Sequence, residues 1–258
     1  MRINTNVGAL NATRNIFVNN MAAEGSMRKL SSGLRISRAA DDAAGLSIAN
    51  KLRTQSRALN QAAANAEQGS AMLSIAEGAA STIQRIVERQ KELLVQLKNE
   101  TGQGASASTA IDNEITKLSE EITRIANSTT YQGTTVFGDL TFQVADVSTD
   151  GSITVSASLD LTDLSLDGSS ELADADTALD VVNSVLASIG TAQNVLDFTT
   201  QNLKAAVTNV RAAESTIRDV DMAEEMANFT RNSILKQAAE AMLSQANQSS
   251  QGVLSLLR

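Results

Sequence analysis

The stretch GLSIANKLRTQSRALNQAAANAEQGSAMLSIAEGAASTIQRIVERQKELLVQL, Gly45–Leu97, decides the fold. Within it Gly45, Ile48, Leu52, Gln55, Leu59, Ala62, Ala66, Gly69, Leu73, Ala76, Ala80, Ile83, Val87, Gln90, Leu94 and Leu97 recur at alternating spacings of three and four. None is charged, and Gln55 and Gln90 are the polar exceptions. A sustained seven-residue repeat keeps one seam of a helix against a partner, so the stretch predicts a long coiled-coil helix. At about 1.5 Å per residue it would run roughly 80 Å. The small seam residues in its middle, Ala62, Ala66, Gly69, Ala76 and Ala80, allow a partner backbone to approach closely.

The partner returns downstream. Leu172, Ala175, Leu179, Val182, Leu186, Ile189, Gln193, Leu196, Thr200, Leu203, Val207 and Val210 follow the same spacing. Seam glutamines Gln55, Gln90 and Gln193 either fix the register between helices or are merely tolerated there. A shorter helix with Ile111, Ile115, Leu118, Ile122 and Ile125 is expected after the Gly102-Gln103-Gly104 terminator, capped from within Ser106–Thr109. Asp41 and Asp42 stand where carboxylates favour the start of the long helix.

Between the third and fourth helical stretches the period falls to two. Leu140, Phe142 and Val144 alternate with mostly polar residues, as do Ile153, Val155, Ala157 and Leu159. Thr149-Asp150-Gly151-Ser152 between them is a turn signal, so a β-hairpin is predicted as the one strand-forming part. The fold class is therefore mainly α: a long antiparallel coiled-coil helical rod closed on itself, a small β-hairpin and paired terminal helices.

Those terminal helices are incomplete by themselves. Ile3, Val7, Leu10, Phe17, Met21, Met27, Leu30 and Leu34 form a narrow apolar stripe interrupted by Arg14 and Glu24. Ile217, Met222, Met226, Phe229, Leu235, Ala238, Met242, Ala246, Val253, Leu254 and Leu257 form another at the far end. Helices with so little apolar surface are marginal in water and order fully only in an assembly. The side chains expected to make self-assembly contacts are Ile3, Val7, Leu10, Phe17, Met21, Leu34, Phe229, Leu235, Met242, Val253, Leu254 and Leu257.

Composition narrows the functional classes. The 258 residues include no Pro, Cys, His or Trp, and aromatic residues make up 2%. Without His or Cys there is no thiol chemistry, no imidazole base and no metal ligation by either residue. The cofactor and metal expectation is none, and the chain is not read as an enzyme. The formal charge of −8 is uneven: residues 1–38 hold six basic side chains and one acidic, while 125–203 hold eleven acidic and no basic. Nucleic-acid binding needs a basic face with stacking aromatics, which is missing. No run suits a membrane span, and Met1 to Asn20 has no secretory h-region. The run Asp160, Asp163, Asp167, Asp174, Asp176 and Asp180 lacks EF-hand spacing and reads as solvated loop. Gly102-Gln103-Gly104 is not followed by Lys-Ser/Thr and reads as a turn.

Four motifs carry a resemblance: Met1-Arg2-Ile3-Asn4-Thr5-Asn6, Leu30-Ser31-Ser32-Gly33-Leu34-Arg35-Ile36, Asp41-Asp42-Ala43-Ala44-Gly45-Leu46, and Ala246-Asn247-Gln248 followed by Val253-Leu254-Ser255-Leu256-Leu257-Arg258. Together they closely resemble bacterial flagellin, over about 1–130 and 170–258 and in the right order. The large variable outer domains of many flagellins are missing, which leaves a short form of the two inner domains.

The resemblance implies a self-assembling subunit of the extracellular flagellar filament, serving swimming motility and exported unfolded. A junction or hook-associated protein of the same architecture is the alternative. Implied segments are an N-terminal filament-core helix (1–42), the N-terminal half of a rod domain (43–133), a β-hairpin and outer loop (134–168), the C-terminal half of the rod (169–214) and a C-terminal filament-core helix (215–258). Implied partners are further copies of the chain, the flagellar export machinery, an export chaperone, and cap and junction proteins. Neither nucleic acid nor membrane is among them. Many flagellins also present Arg-x-Arg-Glu-Leu to the Toll-like receptor for flagellin. Arg89-Gln90-Lys91-Glu92-Leu93 is similar, with Lys91 in place of the second Arg, and Glu114 looks like a contact on the next helix. The implied receptor contacts are Arg89, Glu92, Leu93 and Glu114; read only from its charges, the cluster is a solvated coiled-coil face.

Overall fold

Asp42 starts the long helix. Its Oδ1 accepts the Gly45 amide at 2.9 Å, satisfying one of the unpaired N–H groups of the first turn. From there the computed structural model, which describes residues 6–99, 105–145 and 151–256, holds one continuous helix, Ala43–Leu97. In chain order the described elements are α1 (Val7–Ser32), α2 (Ala43–Leu97), α3 (Ala105–Ser128), β1 (Thr130–Tyr131), β2 (Thr134–Thr135), β3 (Asp139–Gln143), β4 (Ser152–Ser156), α4 (Leu172–Arg218) and α5 (Met222–Leu256). They divide into two compact units: unit 1 from residues 1–54 and 209–258, and unit 2 from 55–208. The expected Gly102-Gln103-Gly104 terminator lies outside the described residues.

In unit 2, α2 and α4 share an apolar seam on which α3 and the hairpin are laid. Leu59, Ala62, Ala66, Gly69, Leu73, Ala76, Ala80, Ile83, Val87, Gln90 and Leu94 are all buried, as the heptads predict. Gln55, in contrast, is exposed. The α4 seam differs from the predicted one at alternate positions. Ala175, Val182, Ile189, Leu196, Leu203 and Val207 are buried as expected, but at three positions the inward residues are Ala178, Val185 and Ala192, each one residue before the predicted Leu179, Leu186 and Gln193. At these positions the larger side chains sit half-buried at the seam's edge and the smaller ones are buried at its centre.

Polar ties hold this packing in register. Buried Gln90 donates from Nε2 to Ile115 O at 3.2 Å and to Ser119 Oγ at 2.8 Å, while Ser119 donates to Leu166 O at 2.6 Å. Gln193 Nε2 donates to Glu77 Oε2 at 3.0 Å, joining α4 to α2. Lys204 and Glu67 form an ion pair at 2.8 Å.

The predicted hairpin is present. Strands β3 and β4 are antiparallel, with Leu140 opposite Val155 and Phe142 opposite Ile153. Leu140, Val144, Val155 and Ala157 are buried against α2 and α4. The Phe142 ring lies over Gly69, where an added Cβ would stand 2.9 Å from a ring carbon. The close approach allowed by that glycine is therefore made by an aromatic ring rather than by a helix backbone. The predicted turn falls mostly outside the described residues.

Two further features were not expected. Strands β1 and β2 form a second, minimal hairpin through Gln132 (φ 50°) and Gly133 (φ 83°), the left-handed pair that a type I′ turn requires. The outer loop is also more than solvated chain. Leu164 and Leu166 are buried among α2, α3 and α4 residues, while Asp160, Asp163 and Asp167 stay exposed. Asp160 accepts the Thr162 hydroxyl and amide, and Asp167 accepts the Ser169 amide and the Ser169 and Ser170 hydroxyls. These bonds hold both carboxyls below the ordinary carboxylate range, the hydroxyl contacts contributing most.

Candidate assembly face

Unit 1 pairs α1 with α5 through polar contacts at widely spaced points. Asn6 caps α1 by accepting the Ala9 amide at 3.0 Å, and its Nδ2 donates to Ala246 O at 3.0 Å. Lys236 Nζ donates to Asn20 Oδ1 at 2.9 Å, and Lys29 pairs with Glu225 at 3.6 Å. Asp221 starts α5 by accepting the Ala223 and Glu224 amides.

Where α1 ends, Gly33 takes the left-handed conformation (φ 70°) and donates to Lys29 O. The chain then forms a short antiparallel bridge, Leu34 opposite Asp219. Arg35 N donates to Arg218 O at 2.6 Å and Val220 N to Gly33 O at 3.1 Å. The Arg35 guanidinium donates to Ile217 O at 2.8 Å. Glu214 sits between Arg53 at 3.3 Å and Arg218 at 3.7 Å. The Asp41 carboxylate accepts the Arg38 and Ser37 amides, which lower its pKa, and so closes the turn before α2. These bonds join the two terminal segments.

The apolar surface faces outward instead. Of the expected assembly residues, Val7, Leu10, Phe17, Met21, Leu235 and Met242 are exposed, Phe17 by 64% and Met242 by 65%. Leu34 and Phe229 are half-buried. Ile3 and Leu257 lie outside the described residues, and so do the side chains of Val253 and Leu254. Among the described residues no third element covers the outer stripes of the two paired helices, and Ala12 is the one buried apolar residue of α1. Val18, Met27, Met222, Met226 and Ile234 were not in this set, yet all are exposed, and Ile48, expected in the seam of the long helix, is 50% exposed as well. Val18 and Ile234 fall off the three/four stripe, so periodicity carried no signal for them. Met27, Met222 and Met226 were legible in the pattern.

The receptor-like cluster lies in unit 2. Arg89 donates to Glu92 at 3.0 Å and to Glu114 at 3.3 Å; these bonds, that to Glu92 first, raise its pKa. Lys91 pairs with Asp176. Arg89, Glu92 and Glu114 thus form one exposed patch across α2 and α3. Leu93 departs from the expectation: it is 2% exposed, packed with Leu94, Ile111, Ile115, Leu166 and Ala175, because α3 and the outer loop cover it. It can shape the patch from beneath but presents no surface.

Comparisons with known proteins bear on both units. Residues 3–141 match the model of the bacterial flagellin N-terminal helical region, and 172–257 match that of the C-terminal helical region. The chain is 40% identical over 304 aligned residues to flagellin of Bacillus subtilis (strain 168) and 42% over 276 to flagellin of Halalkalibacterium halodurans, with both chains fully covered in each case. It is 37% identical, again over the whole of both chains, to the flagellar filament 33 kDa core protein of Treponema phagedenis. Among solved structures, Bacillus cereus flagellin aligns with a TM-score of 0.47 and 27% identity, over 58% of this chain and 94% of that one.

Proposed function

The chain belongs to the bacterial flagellin family, and on that premise we propose how it works as the structural subunit of a flagellar filament. The family is structural, not enzymatic. Large apolar side chains remain uncovered on α1 and α5, and that observation carries the reading. Burial yields about 25 cal/mol per Å² of apolar surface removed from water. Val7, Leu10, Phe17 and Met21, with Leu235 and Met242, obtain that burial from neighbouring copies, and unit 2 adds contacts outside the terminal helices. A heterologous contact that does not close into a ring generates an open helical polymer. Likeness to flagellins across both helical regions favours the filament over the junction role.

The remaining parts of the reading come from family likeness. The subunit leaves the cell unfolded through the export machinery, attended by a chaperone, and adds to the extracellular filament beneath a cap and beyond junction proteins. Ile3, Leu34, Phe229, Val253, Leu254 and Leu257 complete the assembly set. Removing residues 217–258 tests the mechanism: the fragment stays soluble and fails to elongate filament seeds, whereas filaments of the fragment would refute it.

The Arg89, Glu92 and Glu114 patch is read as the contact for the Toll-like receptor for flagellin, with Leu93 holding it from below. Lys91 supplies a point charge where the family has a planar fork, which weakens the fit. In a reporter-cell assay with monomers, Arg89→Ala lowers activation; an unchanged response discards the assignment.

A further inference from the structure

The seven methionines are unevenly placed. Met1 lies outside the described residues, and Met72 is buried in the unit 2 core. The other five are Met21 and Met27 on α1 and Met222, Met226 and Met242 on α5, each between 49% and 65% exposed. The chain has no Cys, Trp or His to compete for an oxidant. Exposed thioethers are therefore the side chains that a mild two-electron oxidant reaches first, and among the described residues they all lie on the terminal helices. Met27 lines a groove with Phe229, Arg28 and Lys236, and Met226 lines one with Ile234 and Leu235.

We propose that the exposed thioethers of α1 and α5 make filament assembly reversibly sensitive to oxidation: the free subunit is the target and the assembled subunit is protected. The proposal rests on reading α1 and α5 as subunit contacts. Hydrogen peroxide is the oxidant. A sulfur lone pair attacks one peroxide oxygen, the S–O bond forms, the O–O bond breaks, and the departing hydroxide takes a proton and leaves as water. Sulfur loses the two electrons that the peroxide gains. The product sulfoxide is a strong acceptor on a side chain that had been apolar, and burying it in an interface without a donor is unfavourable. A methionine sulfoxide reductase reverses the change, its dithiol becoming a disulfide as the oxygen leaves in water.

The test uses the full-length protein and peroxide, with peptide mass mapping and seeded elongation as readouts. One oxygen is gained at each of the five positions and none at Met72, with helix content unchanged. Elongation slows by at least about tenfold and returns after treatment with methionine sulfoxide reductase and dithiothreitol. In a variant carrying M21L, M27L, M222L, M226L and M242L, whose side chains are close in volume to the originals, peroxide leaves the elongation rate unchanged, whatever that rate is before treatment. Undiminished elongation by protein oxidised at all five positions overturns the proposal, and so does a loss that the reductase cannot reverse. If the five-leucine variant fails to elongate at all, reductase rescue of the unsubstituted chain decides alone. Thioethers in preformed filaments that oxidise as fast as those of free subunits sink the assembly reading itself. Protected filaments together with unimpaired oxidised subunits sink only the redox step.

Discussion

Gly69 shows how much one residue can decide. Leu or Val at that seam position would suit the heptads equally well, yet the Phe142 ring occupies the space a side chain would need. Gly69→Ala forces the ring and hairpin outward and should destabilise the protein by about 1–3 kcal/mol. Gly78 lies on the same helix with nothing within 4 Å of its ideal Cβ. There Gly78→Ala should instead stabilise by about 0.5–1 kcal/mol, since alanine loses less backbone entropy in a helix. Denaturant unfolding of the two variants should give opposite signs, and a loss of stability at both would show that the ring contact is not the cause. The glycine itself was visible in the heptads; its partner was not, because the ring comes from a hairpin more than seventy residues away.

At the scale of the element, α4 separates periodicity from packing. The repeat made its length and antiparallel pairing with α2 legible, as it did for α3 and the β3–β4 hairpin. It could not choose between Ala178 and Leu179, or between Val185 and Leu186, since adjacent residues point only about 100° apart and both satisfy an apolar stripe. The structure places Ala178 and Val185 inside. Ala178→Asp should therefore abolish cooperative unfolding or cost more than about 4 kcal/mol by burying an unpaired charge. Leu179→Asp, at the half-buried edge, should cost less than half as much. Thermal melts followed by circular dichroism rank the pair, and the reverse order would restore the seam read from the sequence. Leu93 teaches the same lesson on α2: it sits beside the seam residue Leu94, and α3 with Leu166 buries both.

Across the whole molecule the charge separates with the two units. Unit 1 residues carry 13 basic and nine acidic side chains, and unit 2 residues carry eight basic and 20 acidic, or net charges of +4 and −12. Copies whose acidic units pack side by side repel one another until counterions screen them. The Debye length falls from about 30 Å at 0.01 M salt to about 8 Å at 0.15 M. Seeded elongation should therefore be faster at 0.15 M sodium chloride than at 0.01 M, and neutralising Asp163, Asp180 and Asp197 to Asn should flatten that dependence. Elongation that is fastest at low salt would mean that attraction between oppositely charged units dominates instead.

The amino-acid order alone determined the presence and approximate extent of the helices, the presence of the β3–β4 hairpin, the incompleteness of both terminal stripes and the family, because each depends on local period or on motifs that keep their order along the chain. Tertiary structure alone decided which neighbour at each seam turns inward, that Leu93, Leu164 and Leu166 are covered, and that Phe142 fills the gap at Gly69. Those outcomes depend on what a distant segment places over a residue. A repeat reports only which face of an element seeks burial, and says nothing of what comes to cover it.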